Sequence, residues 1–327
     1  MRRLPSSEHT SRPWRVRELS GLREAAPHHC GGQPADAELG AVVLAARRER
    51  DPSPAALLDS ATRRRLGRDM QFAAPAEHYD RFMGRYTPTL AAALADAADV
   101  KPGTRVLDVG CGPGGLASEL AARVGAANVA AIDPAPQFVG ACRERIPGAD
   151  VREGVAEALP WADGEFDAAL SSLVIAFMRD PDAGVGEMVR VTRSGGTVAA
   201  CMWDVTTGGM TMLRIFWTAV RAVDPRADGE RRLAGTAEGD IAERFERAGL
   251  EQVVGGALTA RADYAGFDDF WEPFTLAVGP AGQHLRSLSD EQQTAVREAC
   301  RAALPDGPFS LDARAWYARG TVVARRR

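Results

Sequence analysis

Between Val106 and Leu116 the chain reads V-L-D-V-G-C-G-P-G-G-L, and this stretch restricts the possible folds more than any other. The run Thr104–Val109 has the length and β-branched content of a buried strand. After the glycines, Leu116, Leu120 and Val124 recur at helical spacing, so the unit is expected to be strand, tight loop, helix. Glycines in such a loop let the backbone pass close to a ligand where a Cβ would collide. The helix that follows presents its first amides to that ligand. A nucleotide-type cofactor site is the expectation, and the residues around the loop decide which cofactor.

Gly110-x-Gly112-x-x-Gly115 fits a dinucleotide fingerprint, and Asp133 follows at about the distance of a ribose-binding acid. Asp108 argues the other way. It stands two residues before the first glycine, where a pyrophosphate site keeps an apolar residue. A carboxylate there repels a diphosphate but suits a ligand carrying an ammonium and a sulfonium. S-adenosylmethionine is such a ligand. The segment D-V-G-C-G-P-G-G resembles the first motif of the class I S-adenosylmethionine-dependent methyltransferases, in the type 11, quinone-biosynthesis-like branch of C- and O-methyltransferases.

The resemblance continues along the chain and implies a set of site residues. Asn128–Ile132 is expected as the second strand, with Asp133 at its end holding both ribose hydroxyls and Pro134 beside it. Val151–Pro160 is similar to the segment that lines adenine. Val155 replaces the usual acid or amide there, which leaves adenine to the backbone of Ala156 and to Glu157. Phe166–Ser172 resembles the fourth strand, with Ser172 at its ligand end, and Thr192–Val198 the turn into a fifth strand, Thr197–Trp203. With Asp108, Gly110, Cys111, Gly112 and Gly114 these residues form the implied cofactor site. Cys111 reads as a small filler.

The resemblance further implies an α/β, Rossmann-like sheet of seven strands, mostly parallel and wound by helices on both faces. Its last strand is antiparallel, and an inserted helical cap covers the acceptor. The cofactor is expected beyond the carboxyl ends of the first and fourth strands. His78, Tyr79, Arg85 and Tyr86, in a lid before the first strand, and Trp203 and Asp204 are implied to face the pocket. Trp217, with the aromatic and Met residues between Met210 and Phe274, is expected on the acceptor side, which fits an apolar or aromatic small molecule. His78 and Asp204 are the candidates for a base, and no residue stands out as catalytic. Methyl transfer by in-line displacement is chiefly a matter of alignment, and a base is needed only for some acceptors. No Asp/Asn-Pro-Pro-Tyr/Phe follows the fourth strand, which speaks against base-amine or Gln methylation. Two other readings stay open: a fold relative that binds the cofactor without transfer, as a regulator or complex subunit, and an NAD(P)-dependent dehydrogenase.

Composition sets the boundaries. Residues 1–69 are Arg-, Pro- and Gly-rich without sustained periodicity and read as a disordered N-terminal extension, an upstream start or a basic docking arm. The methyltransferase domain is expected over 70–327, with the cofactor core at 100–204 and the cap and C-terminal strands at 205–327. The extension is net basic and the remainder net acidic, giving −4 in all, so the domain carries no electrostatic footprint for nucleic acid. The five cysteines are scattered and the five histidines have no metal spacing, so neither a disulfide framework nor a metal site is signalled. No apolar run approaches a membrane span and no secretory signal opens the chain, so a cytoplasmic protein with a small-molecule partner is expected. Helices are expected at Thr89–Ala98, Met210–Val223, Ala237–Ala248, Phe267–Val278 and Glu291–Ala303. Late strands are expected at Leu250–Val254 and Ala313–Val323.

Overall fold

The computed structural model describes residues 74–230 and 233–324. The expected N-terminal extension, 1–69, lies outside the described residues. The described chain opens with a short helix α1 (Ala76–Tyr79) that runs into a π-helical turn, Asp80–Gly84, followed by α2 (Thr87–Ala97). Strands and helices then alternate as β1 (Val106–Val109), α3 (Gly115–Val124), β2 (Val129–Asp133), α4 (Pro136–Arg145), β3 (Asp150–Glu153), β4 (Phe166–Ser172), α5 (Pro181–Val191) and β5 (Thr192–Trp203). Beyond them come α6 (Thr211–Val223), α7 (Asp240–Arg247), β6 (Glu251–Tyr264), α8 (Phe267–Thr275), α9 (Gly279–Ser287), α10 (Asp290–Ala302) and β7 (Phe309–Thr321).

The seven strands form one sheet in the order β3-β2-β1-β4-β5-β7-β6. β1 is parallel to both β2 and β4, and β7 runs antiparallel to β5 and to β6. This is the expected mostly parallel α/β sheet. β1 and β2 are buried along their whole length, which is why both read as unbroken apolar runs, with Asp108 and Asp133 as exceptions. The chain steps to one side of β1 through β2 and β3, then to the other through β4 and β5. The crevice at that reversal lies beyond the carboxyl ends of β1 and β4.

Three elements differ from expectation. The ladder between β4 and β5 shifts register between Phe166 and Ala168, so the expected turn Thr192–Val198 is instead an irregular stretch within β5. β6 does not stop at Val254 but pairs with β7 as far as Tyr264. Within that extension Gly256 leaves space for the Tyr317 ring, where a Cβ would stand 3.1 Å from Cε1. The expected helix Phe267–Val278 stops at Thr275 as α8, Ala277 adopts a left-handed φ of 56°, and a separate helix α9 begins beyond it at Gly279.

Candidate active site

A cavity of about 950 Å³ occupies the crevice. The loop after β1, the ends of β2 and β4, the segment after β3 and the π-helical turn line one part of it, while Trp203, Glu230 and Val278–Pro280 line another.

The loop is held by its own backbone. The amides of Gly110 and Cys111 donate to the Ile132 carbonyl at 2.8 and 2.9 Å, and Gly114 N donates to Cys111 O at 2.9 Å. The Gly112 amide donates to Asp133 Oδ2 at 2.9 Å, and the Ala135 amide to Asp133 Oδ1 at the same distance. Five loop and turn amides are thus spent on shape. The glycines also divide their work. A Cβ on Gly110 would overlap the Val174 methyls, and one on Gly115 the Thr87 methyl. Gly112, with φ at +53°, would point its Cβ where no protein atom lies within 4 Å, on the wall of the cavity. Only there does the missing side chain leave room for something other than the protein. Gly114 caps α3 in a left-handed conformation against Cys142 and is not on the cavity wall.

Asp108 is the unusual group. It is 1% exposed, it lines the cavity, and neither carboxylate oxygen has a hydrogen-bond partner. Burial and the neighbouring Asp133 push its carboxyl up to about 8; the Ala117 amide pulls the other way without reaching hydrogen-bond geometry. A buried acid without partners is costly, and this cost is offset if a cationic ligand occupies the cavity. Burial also raises Asp133, opposed by its two amides.

The other cofactor-side residues sit as follows. Cys111, Pro134, Ala156, Glu157 and Ser172 all line the cavity. A hydrogen bond to Cys142, with burial, holds the Cys111 thiol protonated, which suits a filler and not a nucleophile. Glu157 accepts the Asp180 amide at 3.1 Å, and Asp180 in turn caps α5 through the amides of Asp182 and Ala183. Ser172 Oγ lies 3.5 Å from Cys201 Sγ. Below it, Ser171 Oγ donates to Val109 O at 3.0 Å and ties β4 to β1.

Of the residues expected around an acceptor, Tyr79 and Trp203 line the cavity and the rest do not. Tyr79 packs edge-on against Phe138 at 5.6 Å. Trp203 is buried with its Nε1 unpartnered. Arg85 instead lies 4.3 Å over the Tyr264 ring and forms a two-pronged ion pair with Asp269, its Nη2 being 3.0 Å from Oδ1. Tyr86 is fully buried with its hydroxyl 2.8 Å from that of Tyr264. The cause is helical phase. Tyr79, Asp80, Phe82, Met83, Gly84, Thr87 and Pro88 line the cavity in a stripe that recurs about every four residues, and Arg85 and Tyr86 fall outside it.

Neither candidate base faces the cavity. His78 is part-buried with Nδ1 unpartnered. Asp204 is fully buried and accepts from Arg314 at 2.6 and 2.9 Å, from Thr207 Oγ1 at 2.5 Å and from the amides of Thr207 and Gly209. Burial works to raise its pKa, but the Thr207 and Arg314 bonds together hold it low. It ties the end of β5 to β7 and is spent in doing so. Trp217 lies behind the wall, donating from Nε1 to Glu230 Oε1 at 3.2 Å. Glu230 is the residue that sequence reasoning missed, because D-G-E-R-R reads as a solvated charged loop.

Residues 107–200 match a family model described as a methyltransferase domain. An uncharacterised protein of Mycobacterium tuberculosis is 39% identical over 114 residues, 34% of this chain and 41% of its own length. The chain thus spans well under two thirds of that relative. A second uncharacterised protein of that species is 28% identical over 65% of this chain and 80% of its own. The demethylmenaquinone methyltransferase of Renibacterium salmoninarum is 36% identical over 36% of this chain and 48% of its own. Among solved structures, the Haemonchus contortus phosphoethanolamine N-methyltransferase 2 superposes with a TM-score of 0.49 at 18% identity, over 81% of this chain and 61% of that one. No helix among the described residues is long and apolar enough to cross a membrane.

Proposed function

We propose that this methyltransferase-domain chain binds S-adenosylmethionine in the crevice and transfers its methyl group, by in-line displacement, to a small molecule seated beside Trp203. The observation that carries the reading is the buried, unpartnered carboxyl of Asp108 on the cavity wall, next to the one loop glycine whose missing Cβ leaves ligand space. A diphosphate brought to that carboxylate is repelled, whereas an ammonium is attracted, and low dielectric strengthens both effects. The donor chemistry therefore favours the amino acid end of S-adenosylmethionine over a dinucleotide.

Asp108 would hold the ammonium group and Asp133 the ribose hydroxyls, each Asp133 oxygen keeping a free lone pair beside its amide bond. The backbone around Ala156 would meet adenine, with Val155 forming an apolar edge. When bound, the cofactor supplies a methyl group already activated on a sulfonium. What the chain contributes is alignment and exclusion of water. Tyr79 and Met83 would close the crevice from the π-helical turn, and Trp203 would seat the acceptor. The demethylmenaquinone methyltransferase relative supports a small aromatic acceptor with an apolar body.

Calorimetric titration with S-adenosylhomocysteine and with NAD⁺ tests the reading. Micromolar affinity for the first and none for the second is expected. Binding of NAD⁺, or of neither ligand, would overturn it.

A further inference from the structure

Glu230 is a buried carboxyl that the cofactor chemistry does not use. It is 5% exposed and lines the cavity, as do Trp203 and Val278–Pro280. Its Oε1 accepts the Trp217 indole N–H, and no other group among the described residues donates to the carboxyl. The placement is built. Gly229, with φ at +66°, lies flat on the Trp217 ring, where a Cβ would stand 3.2 Å from Cδ2. The indole is fixed from its other sides by Phe216, edge-on at 5.2 Å, and by the His284 ring at 5.3 Å. Among the described residues the ionisable ring on that indole is His284, which faces Asp224 at 3.8 Å. No Lys or Arg among the described residues pairs with the carboxyl. Burial pushes it up to about 7, with the Trp217 bond acting weakly against.

A structural role explains this poorly. Holding one indole N–H requires only an amide oxygen, and a neutral Gln would do so without desolvating an acid. Glu230 lines a cavity whose walls also include the apolar side chains of Trp203, Met202 and Val278. Resting on the methyl-transfer reading above, we propose that Glu230 accepts the proton of an aromatic hydroxyl, so that the cavity selects a phenol-type acceptor with an apolar ring. The hydroxyl proton passes to the free Glu230 oxygen as an acceptor lone pair forms the new bond to the methyl carbon. The carbon–sulfur bond breaks with its electron pair going to sulfur, which loses its positive charge. The methyl ether and S-adenosylhomocysteine leave, and protonated Glu230 returns its proton to water.

The test titrates the protein, saturated with S-adenosylhomocysteine, with 2-naphthol, its methyl ether and 2-naphthylmethylammonium. Glu230→Gln keeps the acceptor for Trp217 but cannot take a proton. The native protein is expected to bind naphthol at least tenfold more tightly than the ether. The variant should lose that preference, with unchanged affinity for S-adenosylhomocysteine and an equal or higher melting temperature. Transfer of labelled methyl to naphthol should fall at least a hundredfold in the variant. A naphthol preference that persists in Glu230→Gln, tighter binding of the ammonium, or no binding of either naphthalene would each overturn the proposal. A protein that took naphthol through Glu230 but no S-adenosylhomocysteine would keep the hydroxyl site and lose the methyl-transfer reading.

Discussion

The two sides of the cavity are built from different materials. On the cofactor side the shape is made by backbone: amides of Gly110, Cys111, Gly112 and Ala135 close on Ile132 O and Asp133, and side chains matter chiefly by being absent. On the acceptor side the shape is made by side chains from distant segments: Trp203 at the end of β5, Glu230 after α6, Val278 between α8 and α9. Each side buries a carboxyl that it does not fully satisfy. Asp108 has no hydrogen bond and Glu230 has one, whereas Asp133, between them in role, has two and serves also as a clamp. On the proposed reading, these unsatisfied acids are where each side would meet a different ligand.

Asp108→Asn gives the largest expected effect. The native carboxyl titrates near 8 when folded against 3.8 as its ordinary value, so between those limits the folded state holds a proton that the unfolded chain has lost. Stability therefore falls as pH rises from about 4 to 8, by up to about 5 kcal/mol. Asparagine lacks this slope, so urea melts at pH 5 and pH 8 should show the variant gaining on the native protein as pH rises, while its affinity for S-adenosylhomocysteine drops at least a hundredfold. Parallel pH slopes for the two proteins would mean that Asp108 is solvated, and the contrast between the sides would collapse. Next in size is a pair of glycine changes. Gly110→Ala should cost about 2–3 kcal/mol of stability through overlap with Val174. Gly112→Ala should cost only the left-handed penalty of about 1–2 kcal/mol, yet abolish binding. If Gly110→Ala instead spared the fold and removed binding, the ligand would lie on the other wall of the loop.

The same contrast explains what could be read from the sequence. Val106–Gly115 announces a strand, a turn and a helix because backbone conformation restricts residue type locally, and Asp133 follows from the rise of one strand and the length of one helix. Phe166–Ser172 was likewise legible as a buried strand. Glu230 was not, since its partner Trp217 is thirteen positions away on another element and no spacing rule links a loop acid to a cavity. Arg85 and Tyr86 were expected to line the pocket because the resemblance implies a lid there, before the first strand. A π-helical turn alters the phase of everything after it, and the apolar pattern there is too short to reveal the change. Asp204 at the end of β5 was misread for a related reason. Its partner Arg314 comes from β7, 110 residues later, through an antiparallel pairing that sequence does not display.

The smallest effect bears on where the acceptor side ends. Tyr86 and Tyr264 share one buried hydrogen bond, with Trp203 packed edge-on against Tyr86 at 5.6 Å. Tyr86→Phe deletes one hydroxyl and leaves the Tyr264 oxygen buried without its partner, a loss of about 1–2 kcal/mol. For a domain of this size that lowers the melting temperature by roughly 2–6 °C. Because the hydroxyl faces β6 and not the cavity, affinity for S-adenosylhomocysteine should stay within about twofold. The ring itself remains in place, so Trp203 keeps its support and naphthol binding should also survive. A tenfold loss of either ligand with an unchanged melting temperature would place the Tyr86 hydroxyl in the site. The acceptor wall would then extend through Tyr86 to β6, and the aromatic pair would belong to recognition instead of to the fold.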